Sequence, residues 1–194
     1  PQDVGFDKFN LWQVDEQGSR YKDPTIYTDA KKSVEIKGEF GDNVFTTYIE
    51  KFIEDNKKGP FMVYYPMALT HDPFIPTPIS DNYDTFVQTP NTVNPSYYKD
   101  MLKYHDDLIG RIVKKLDDLG LRENTIIIYM GDNGTSPQII SNFRGSKIQG
   151  NKGQTNDRGT HVPLIVNWKS QIKPGQVNKS LIDFTDFFPT LLDL

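Results

Sequence analysis

Apolar residues recur at helical spacing in two parts of the chain, and each part predicts an amphipathic helix. The first lies at residues 43–57, with Asp42 as its expected N-cap. The second lies at residues 97–119 and is expected to end at Gly120. The apolar stripes consist of Val44, Phe45, Tyr48, Ile49, Phe52 and Ile53 in the first helix, and of Tyr98, Met101, Leu102, Leu108, Ile109, Ile112, Val113, Leu116 and Leu119 in the second. Each stripe needs a partner surface to cover it.

Shorter runs predict strands. Continuous apolar runs at residues 61–65, 125–130 and 162–168 are typical of buried strands. The alternation of apolar and polar residues at 25–28 and 33–36 is typical of short exposed strands and suggests a hairpin.

The remaining segments complete an α/β order of strand, helix, strand, loop, strand and helix. A proline-rich loop spans residues 66–95, and a loop of this length in a compact domain is usually functional or disordered. Residues 181–194 are expected to be helical, with Pro189 opening the last helix. We expect the three buried strands in one sheet with both long helices packed on it, and a ligand site beyond the carboxyl ends of the strands.

Composition narrows the class of protein. The chain has 194 residues, 36% of them hydrophobic and 25% charged, and a net charge of −4, which makes it a poor candidate for binding nucleic acid. It has no apolar run of about 20 residues, so no membrane span is expected. Cysteine is absent, which excludes disulfides, thiolate zinc sites and cysteine nucleophiles. The chain opens at Pro1, without a signal peptide, and stops at Leu194 inside an apolar stretch, which predicts a fragment.

Asp132 and Asn133 follow the apolar run 125–130 directly. Both side chains offer oxygen, the ligand that a hard cation such as Ca²⁺ takes. Asp-Asn-Gly is also common turn chemistry, and the residues alone favour the turn.

His71 and Lys152 are the other candidates for chemistry. His71 follows the run 61–65, where it could hydrogen-bond an anionic substrate or protonate a leaving group. Lys152 lies in a glycine-flanked loop in which backbone N–H groups and an ammonium could meet an oxyanion. The alternative for His71 is a loop histidine that caps a carbonyl group, and the alternative for Lys152 is a solvated surface lysine. For each residue, the sequence alone favours this alternative.

Four further polar residues have structural interpretations. His105 falls within the long helix and is expected to be a partly buried helix histidine with its hydrogen bonds satisfied, and His161 is expected to be structural at a strand start. Asp106 and Asp107 are adjacent on a helix, where neighbours diverge by about 100°, so they cannot share a site.

The order of these segments resembles the sulfatases of the alkaline-phosphatase-like superfamily from about Gly5 to Leu194. The matching segments are Pro-Phe-Met-Val-Tyr-Tyr-Pro with His-Asp-Pro-Phe (residues 60–74), the helix–strand–Asp-Asn-Gly block (98–134), Lys-Gly-Gln-Thr with Gly-Thr-His-Val-Pro-Leu-Ile-Val (152–166), Ile-Lys-Pro-Gly (172–175) and Asp-Phe-Thr-Asp-Phe-Phe-Pro-Thr-Leu-Leu (183–192). The resemblance implies the C-terminal part of a sulfatase catalytic domain, a three-layer α/β/α sandwich around a mostly parallel or mixed sheet.

The resemblance also assigns roles. Asp132 and Asn133 correspond to two ligands of the active-site calcium, His71 to a histidine that contacts the sulfate group or leaving oxygen, and Lys152 to the lysine that binds sulfate. At His161 the family more often has arginine. The implied substrate is a sulfate ester, of a carbohydrate or an aryl alcohol, and the implied location is periplasmic or secreted.

Part of the family's site is missing from this sequence. Sulfatases use a formylglycine made from Cys or Ser in a Cys/Ser-x-Pro-x-Arg motif, and neither this motif nor the family's Asp-Asp calcium ligands occur here. The chain alone is therefore expected to be inactive, to bind calcium weakly or not at all, and to self-associate. Two alternatives remain: a phosphate or phosphonate ester hydrolase of the same superfamily, and a non-catalytic sulfatase-like binding module.

Overall fold

The computed structural model describes residues 1–12, 18–28, 33–89 and 94–194. The elements follow in this order: β1 (Asn10–Trp12), β2 (Thr25–Thr28), β3 (Ser33–Glu35), α1 (Gly41–Asn56), α2 (Tyr98–Asp118), β4 (Ile127–Met130), β5 (Ile140–Phe143), β6 (Ser146–Gln149), α3 (Asp157–Thr160), β7 (Leu164–Asn167) and α4 (Phe187–Leu192). The mixture of helices and sheets confirms the α/β class. Within the described ranges, no helix is both long and apolar enough to cross a membrane.

Strands β4 and β7 confirm two of the three predicted strands, but neither is buried as expected: β4 is half-buried and β7 is mostly exposed. They pair antiparallel, with Ile127 opposite Asn167 and Met130 opposite Leu164. Residues 61–65, however, form no strand, so the expectation of three strands in one sheet was wrong. A strand needs a hydrogen-bonded neighbour, and this run has none among the described residues. The first and last side chains of the run, Phe61 and Tyr65, contact the core between the helices, while residues 62–64 are exposed.

Helices α1 and α2 pack on each other and on β4, as their apolar stripes predict. Ile49, Ile53 and Leu116 are buried together, and Ile127 of β4 covers them. Arg111 joins the two helices at their rim by a paired contact with Glu50, at 2.6 Å from Nη2 to Oε2. These contacts place both helices on one side of the β4–β7 pair.

The ends of the helices differ from each other in how well the sequence predicted them. Phe40 is the N-cap of α1, and Asp42 lies inside the helix and is fully buried, so its assignment as N-cap was wrong. The predicted end of α2 at Gly120 is confirmed. Gly120 has φ +70°, its N–H donates to the carbonyl oxygen of Asp117, and Leu121 N–H donates to that of Leu116. This is the Schellman arrangement that favours glycine.

Two hairpins flank the helical core. The predicted pairing of 25–28 with 33–36 is confirmed over residues 25–27 and 33–35, and β1 adds a third antiparallel strand to it. The β5–β6 hairpin was not predicted. Its two-residue turn, Arg144-Gly145, has positive φ at both positions, as a type I′ hairpin turn requires.

The proline-rich loop is packed. Leu69, Phe74, Ile75 and Thr77 are buried, and the apolar members join a core with residues from the N-terminal segment and α2. Phe40 lies at the centre of this core, with ring centroids 5.3 Å from Tyr21 and 5.4 Å from Tyr104. At the other end of the chain, α4 contains Pro189 in its first turn, and its apolar residues Phe188, Leu191 and Leu192 are exposed.

Candidate functional site

His71 lies partly exposed in the loop that follows residues 61–65, and Asp72 orients its ring. Its Nδ1 is 2.5 Å from the Asp72 carboxylate and 2.8 Å from the Asp72 carbonyl oxygen. A guanidinium nitrogen of Arg20 lies 3.4 Å from the same Nδ1. Nδ1 cannot donate to Asp72 and accept from Arg20 at once, and the shorter contacts favour donation. The proton therefore belongs on Nδ1, which leaves Nε2 without a proton in the neutral ring and available to a ligand.

The backbone just before His71 is held by buried side chains. We call residues 65–72 the His71 loop. The Asp42 carboxylate accepts hydrogen bonds from the N–H groups of Ala68 (3.2 Å) and Leu69 (3.4 Å). The Tyr21 hydroxyl lies 2.8 Å from the carbonyl oxygen of Ala68 and 2.6 Å from that of His71. The loop is thus fixed by groups from distant parts of the sequence.

His105 connects the His71 loop to strand β4. It is 9% exposed, and its Nδ1 lies 3.2 Å from the carbonyl oxygen of Leu69. The expected satisfied histidine is met only at Nδ1, because Nε2 is buried without a hydrogen-bond partner in the part of the chain that the structure describes. Its ring meets Tyr129 edge-on at 5.7 Å, three residues before Asp132. Burial lowers the pKa of His105, which keeps the ring neutral and lets Nδ1–H donate to Leu69.

Asp132 and Asn133 leave the end of β4 together. The Asn133 amide donates to the Asp132 carboxylate at 2.7 Å, which leaves one oxygen on each side chain for another partner. A carboxylate and an amide oxygen suit Ca²⁺, but they are two of the 6–8 ligands it takes. No group of three or more His, Cys, Asp or Glu residues that could hold a metal occurs in the part of the chain that the structure describes.

The segment that carries Lys152 is joined to the Asp132–Asn133 segment by backbone hydrogen bonds. We call residues 150–153 the lysine loop. Lys152 N–H donates to Thr135 (3.0 Å), and Gly150 N–H donates to Ile139 (2.9 Å). A Cβ on Gly150 would overlap the carbonyl oxygen of Ser136, so only glycine permits this approach. Lys152 is partly buried, and its ammonium has no hydrogen-bond or ion-pair partner within the described ranges.

The structure therefore brings the lysine loop beside Asp132 and Asn133, and it links the His71 loop to the same strand through His105. Convergence of all four side chains on one ligand stays a prediction. His161 lies at the exposed end of α3 with its Nδ1 3.2 Å from the Asp157 carboxylate, and a structural role for it stays a prediction. Asp107 pairs with Lys103 on the surface of α2. The residues that sequence reasoning missed are Arg20, Asp42 and Asp72, and only Asp72 carries a signal, its position next to His71.

Comparison with known proteins places the chain in a family. The sulfatase family model matches residues 2–194. The chain is 31% identical to the uncharacterized sulfatase YdeN of Escherichia coli (strain K12), over 100% of this chain and 34% of that protein. It is 27% identical to N-acetylgalactosamine-6-O-sulfatase of Bacteroides thetaiotaomicron, over 84% of this chain and 32% of that protein.

Solved structures agree with the fold. The structure of Ps i-CgsB in complex with k-i-k-neocarrahexaose superposes with a TM-score of 0.67 at 21% identity, over 87% of this chain and 41% of that chain. The chain spans about a third of the length of these two curated relatives. The matched family model and these relatives lead to one conclusion: the chain belongs to the sulfatase family.

Proposed function

We propose that the protein containing this chain hydrolyses sulfate esters, with His71 and Lys152 acting on the substrate. The observation that carries the proposal is the state of His71: Asp72 fixes Nδ1 at 2.5 Å, and Nε2 stays available. A carboxylate-held imidazole is a common way to position an acid or base for proton transfer. Membership of the sulfatase family supplies the reaction class.

The two side chains have complementary tasks. The partly buried ammonium of Lys152 stabilises negative charge on the sulfuryl oxygens. The protonated His71 donates from Nε2 to the ester oxygen as the S–O bond breaks, so the alcohol leaves neutral. The Asp72 carboxylate stabilises the imidazolium that this step requires.

Asp132 and Asn133 would hold calcium through the oxygens that their mutual hydrogen bond leaves over. The ion, when bound, supplies Lewis-acid polarisation of the sulfuryl oxygens. The other calcium ligands and the formylglycine nucleophile lie outside this chain in our proposal.

We propose a sulfated carbohydrate as the substrate and a periplasmic or secreted location. One relative is named N-acetylgalactosamine-6-O-sulfatase, and one structural neighbour is a complex with k-i-k-neocarrahexaose. Both names point to sugars.

The test compares a chromogenic aryl sulfate with the matching aryl phosphate, using the full-length protein that carries this chain. We expect turnover of the sulfate, and a fall of about 10²–10³ in kcat for Lys152→Ala and for His71→Ala. His161→Ala is the matched control, since His161 is an exposed histidine that pairs with Asp157 on the surface, and it is expected to keep full activity.

Three results would contradict the proposal: preference for the phosphate ester, no turnover of either ester, or turnover that survives both substitutions. The 194-residue chain by itself is expected to turn over neither ester, because the family's nucleophile motif does not occur in it.

A further inference from the structure

The backbone of the His71 loop has an unusual set of hydrogen-bond partners. Buried backbone groups normally pair with other backbone groups in helices and sheets. In residues 68–71 the partners include three buried side chains from other elements: Asp42 of α1, Tyr21 before β2 and His105 of α2. Only His71 N–H donates within the loop, to Ala68 at 2.9 Å. Side chains therefore decide the path of this segment.

Asp42 makes the central contribution to this arrangement. Its Oδ1 lies within 3.4 Å of both the Ala68 and Leu69 N–H groups, and the Tyr65 hydroxyl also reaches it, at 3.3 Å. The residue is fully buried. A single oxygen thus collects three donors from the loop that leads into His71.

Burial of the second oxygen of the same carboxyl group costs folding free energy. Its Oδ2 is buried without a hydrogen-bond partner in the part of the chain that the structure describes. The titratable groups that face Asp42 are Tyr21, Tyr65 and Tyr104, and no cation pairs with it within the described ranges. Unpaired buried carboxyls are rare in cores and are concentrated at functional sites, where a specific arrangement matters more than stability.

We propose that Asp42 is a positioning residue for His71, acting through its Oδ1 on the backbone of Ala68 and Leu69. This inference rests on the proposed function of His71. With the two N–H groups held, Tyr21 and His105 can engage the carbonyl groups of the same segment, and the chain then turns so that Asp72 reaches Nδ1 of His71. Without Oδ1 the two N–H groups lose their acceptor, so residues 68–71 can move and Nε2 of His71 can change direction. A displacement of about 1 Å at a reacting group can lower the rate about 10²-fold.

The test uses three variants of the full-length protein. Asp42→Ala removes the acceptor. Asp42→Asn keeps an Oδ1 acceptor in the same place and should restore the hydrogen bonds from the N–H groups of Ala68 and Leu69. Ile53→Ala is the matched control, since Ile53 is also buried on α1 but packs in the separate core around Leu116.

Two readouts do not depend on turnover. Hydrogen–deuterium exchange of the peptide covering residues 66–72 should rise at least about tenfold in Asp42→Ala, because two N–H bonds are lost. The rate at which diethylpyrocarbonate modifies His71 should change several-fold, with exposed His161 as the internal reference. Asp42→Asn should match the unaltered protein in both, and Ile53→Ala should alter neither beyond its global effect.

The third readout is kinetic. In Asp42→Ala we expect kcat to fall by about 10²-fold with little change in KM, and Asp42→Asn to recover most of it. The positioning role is overturned if exchange and His71 reactivity in Asp42→Ala equal those in Ile53→Ala. It is also overturned if both change while kcat does not. Absence of sulfatase activity in the unaltered protein would instead contradict the proposed function, because exchange and labelling are measured without turnover.

Discussion

The His71 loop and the lysine loop are fixed in opposite ways. In the His71 loop, buried side chains from distant elements hold the main chain, with Asp42 and His105 as donors or acceptors. In the lysine loop the main chain is held by main chain, through the bonds of Gly150 to Ile139 and of Lys152 to Thr135. The first arrangement is vulnerable to the removal of a side chain, and the second to the addition of one.

The strongest way to break this contrast is to add a Cβ to the lysine loop. Gly150→Ala would place that atom in overlap with the carbonyl oxygens of Ser136 and Thr135, which the backbone can relieve only by moving apart. We expect a loss of about 3 kcal/mol in the free energy of unfolding. Urea denaturation measures it.

Gly110→Ala is the matched control for this substitution. Gly110 lies in the interior of α2, and apart from its chain neighbours and the backbone of its own helix no atom lies within 4 Å of the position that an added Cβ would take. We expect a gain of about 0.5–1 kcal/mol there, since alanine favours helix. Equal effects at the two glycines would show that the lysine loop is not held by close backbone contact.

The second prediction concerns pH and the His71 loop. Burial raises the pKa of Asp42 from 3.8 to about 6, against the opposing effect of its bonds from Leu69, Ala68 and Tyr65. A raised carboxyl pKa contributes stability that is complete at low pH and is lost as pH rises through the folded-state value. Asparagine does not titrate, so Asp42→Asn does not lose this stability. The free energy of unfolding of Asp42→Asn minus that of the unaltered protein should therefore increase by up to about 3 kcal/mol between pH 4 and pH 7.

The measurement is urea unfolding of both proteins across that pH range. Taking the difference between them removes the contribution of His105, whose lowered pKa acts in the opposite direction. A difference that stays constant with pH would mean that the Asp42 carboxyl is solvated, contrary to its burial.

A smaller effect is expected for His105 of α2, the third of the buried side chains that hold the His71 loop. His105→Leu removes the donor to the Leu69 carbonyl oxygen and leaves that oxygen buried without this bond. We expect a loss of about 1–2 kcal/mol. Thermal or urea unfolding would show it, and faster exchange in residues 66–72, with the lysine loop unchanged, would assign it to the His71 loop.

The smallest effect is expected on the surface. Lys103 and Asp107 form an ion pair at 2.7 Å one turn apart on α2, and both side chains are largely exposed. Asp107→Ala should change the free energy of unfolding by about 0.5 kcal/mol or less, since such pairs are screened by solvent. A loss above about 1 kcal/mol would show that charge pairing on the helix surface matters as much as the buried contacts.

The sequence predictions were accurate where local interactions form an element and failed where the element depends on distant parts of the chain. Helices α1 and α2 and the Gly120 terminus were predictable because periodicity and glycine at positive φ are local properties. The β5–β6 hairpin was missed although Gly145 is its turn signal, because its side chains are mostly exposed and give little alternation. Residues 61–65 were assigned as a strand from their apolar run, but a run cannot reveal whether a neighbouring strand exists.

The sequence by itself determined the family, through the order of its segments, and the candidates His71, Asp132, Asn133 and Lys152 through that resemblance. It also determined which helix faces are apolar. Only the tertiary structure decided that Asp42 is a buried acceptor for the His71 loop and not a helix cap. An aspartate near a helix start suits either role, and the choice depends on which N–H groups a segment 26 residues further along brings to it.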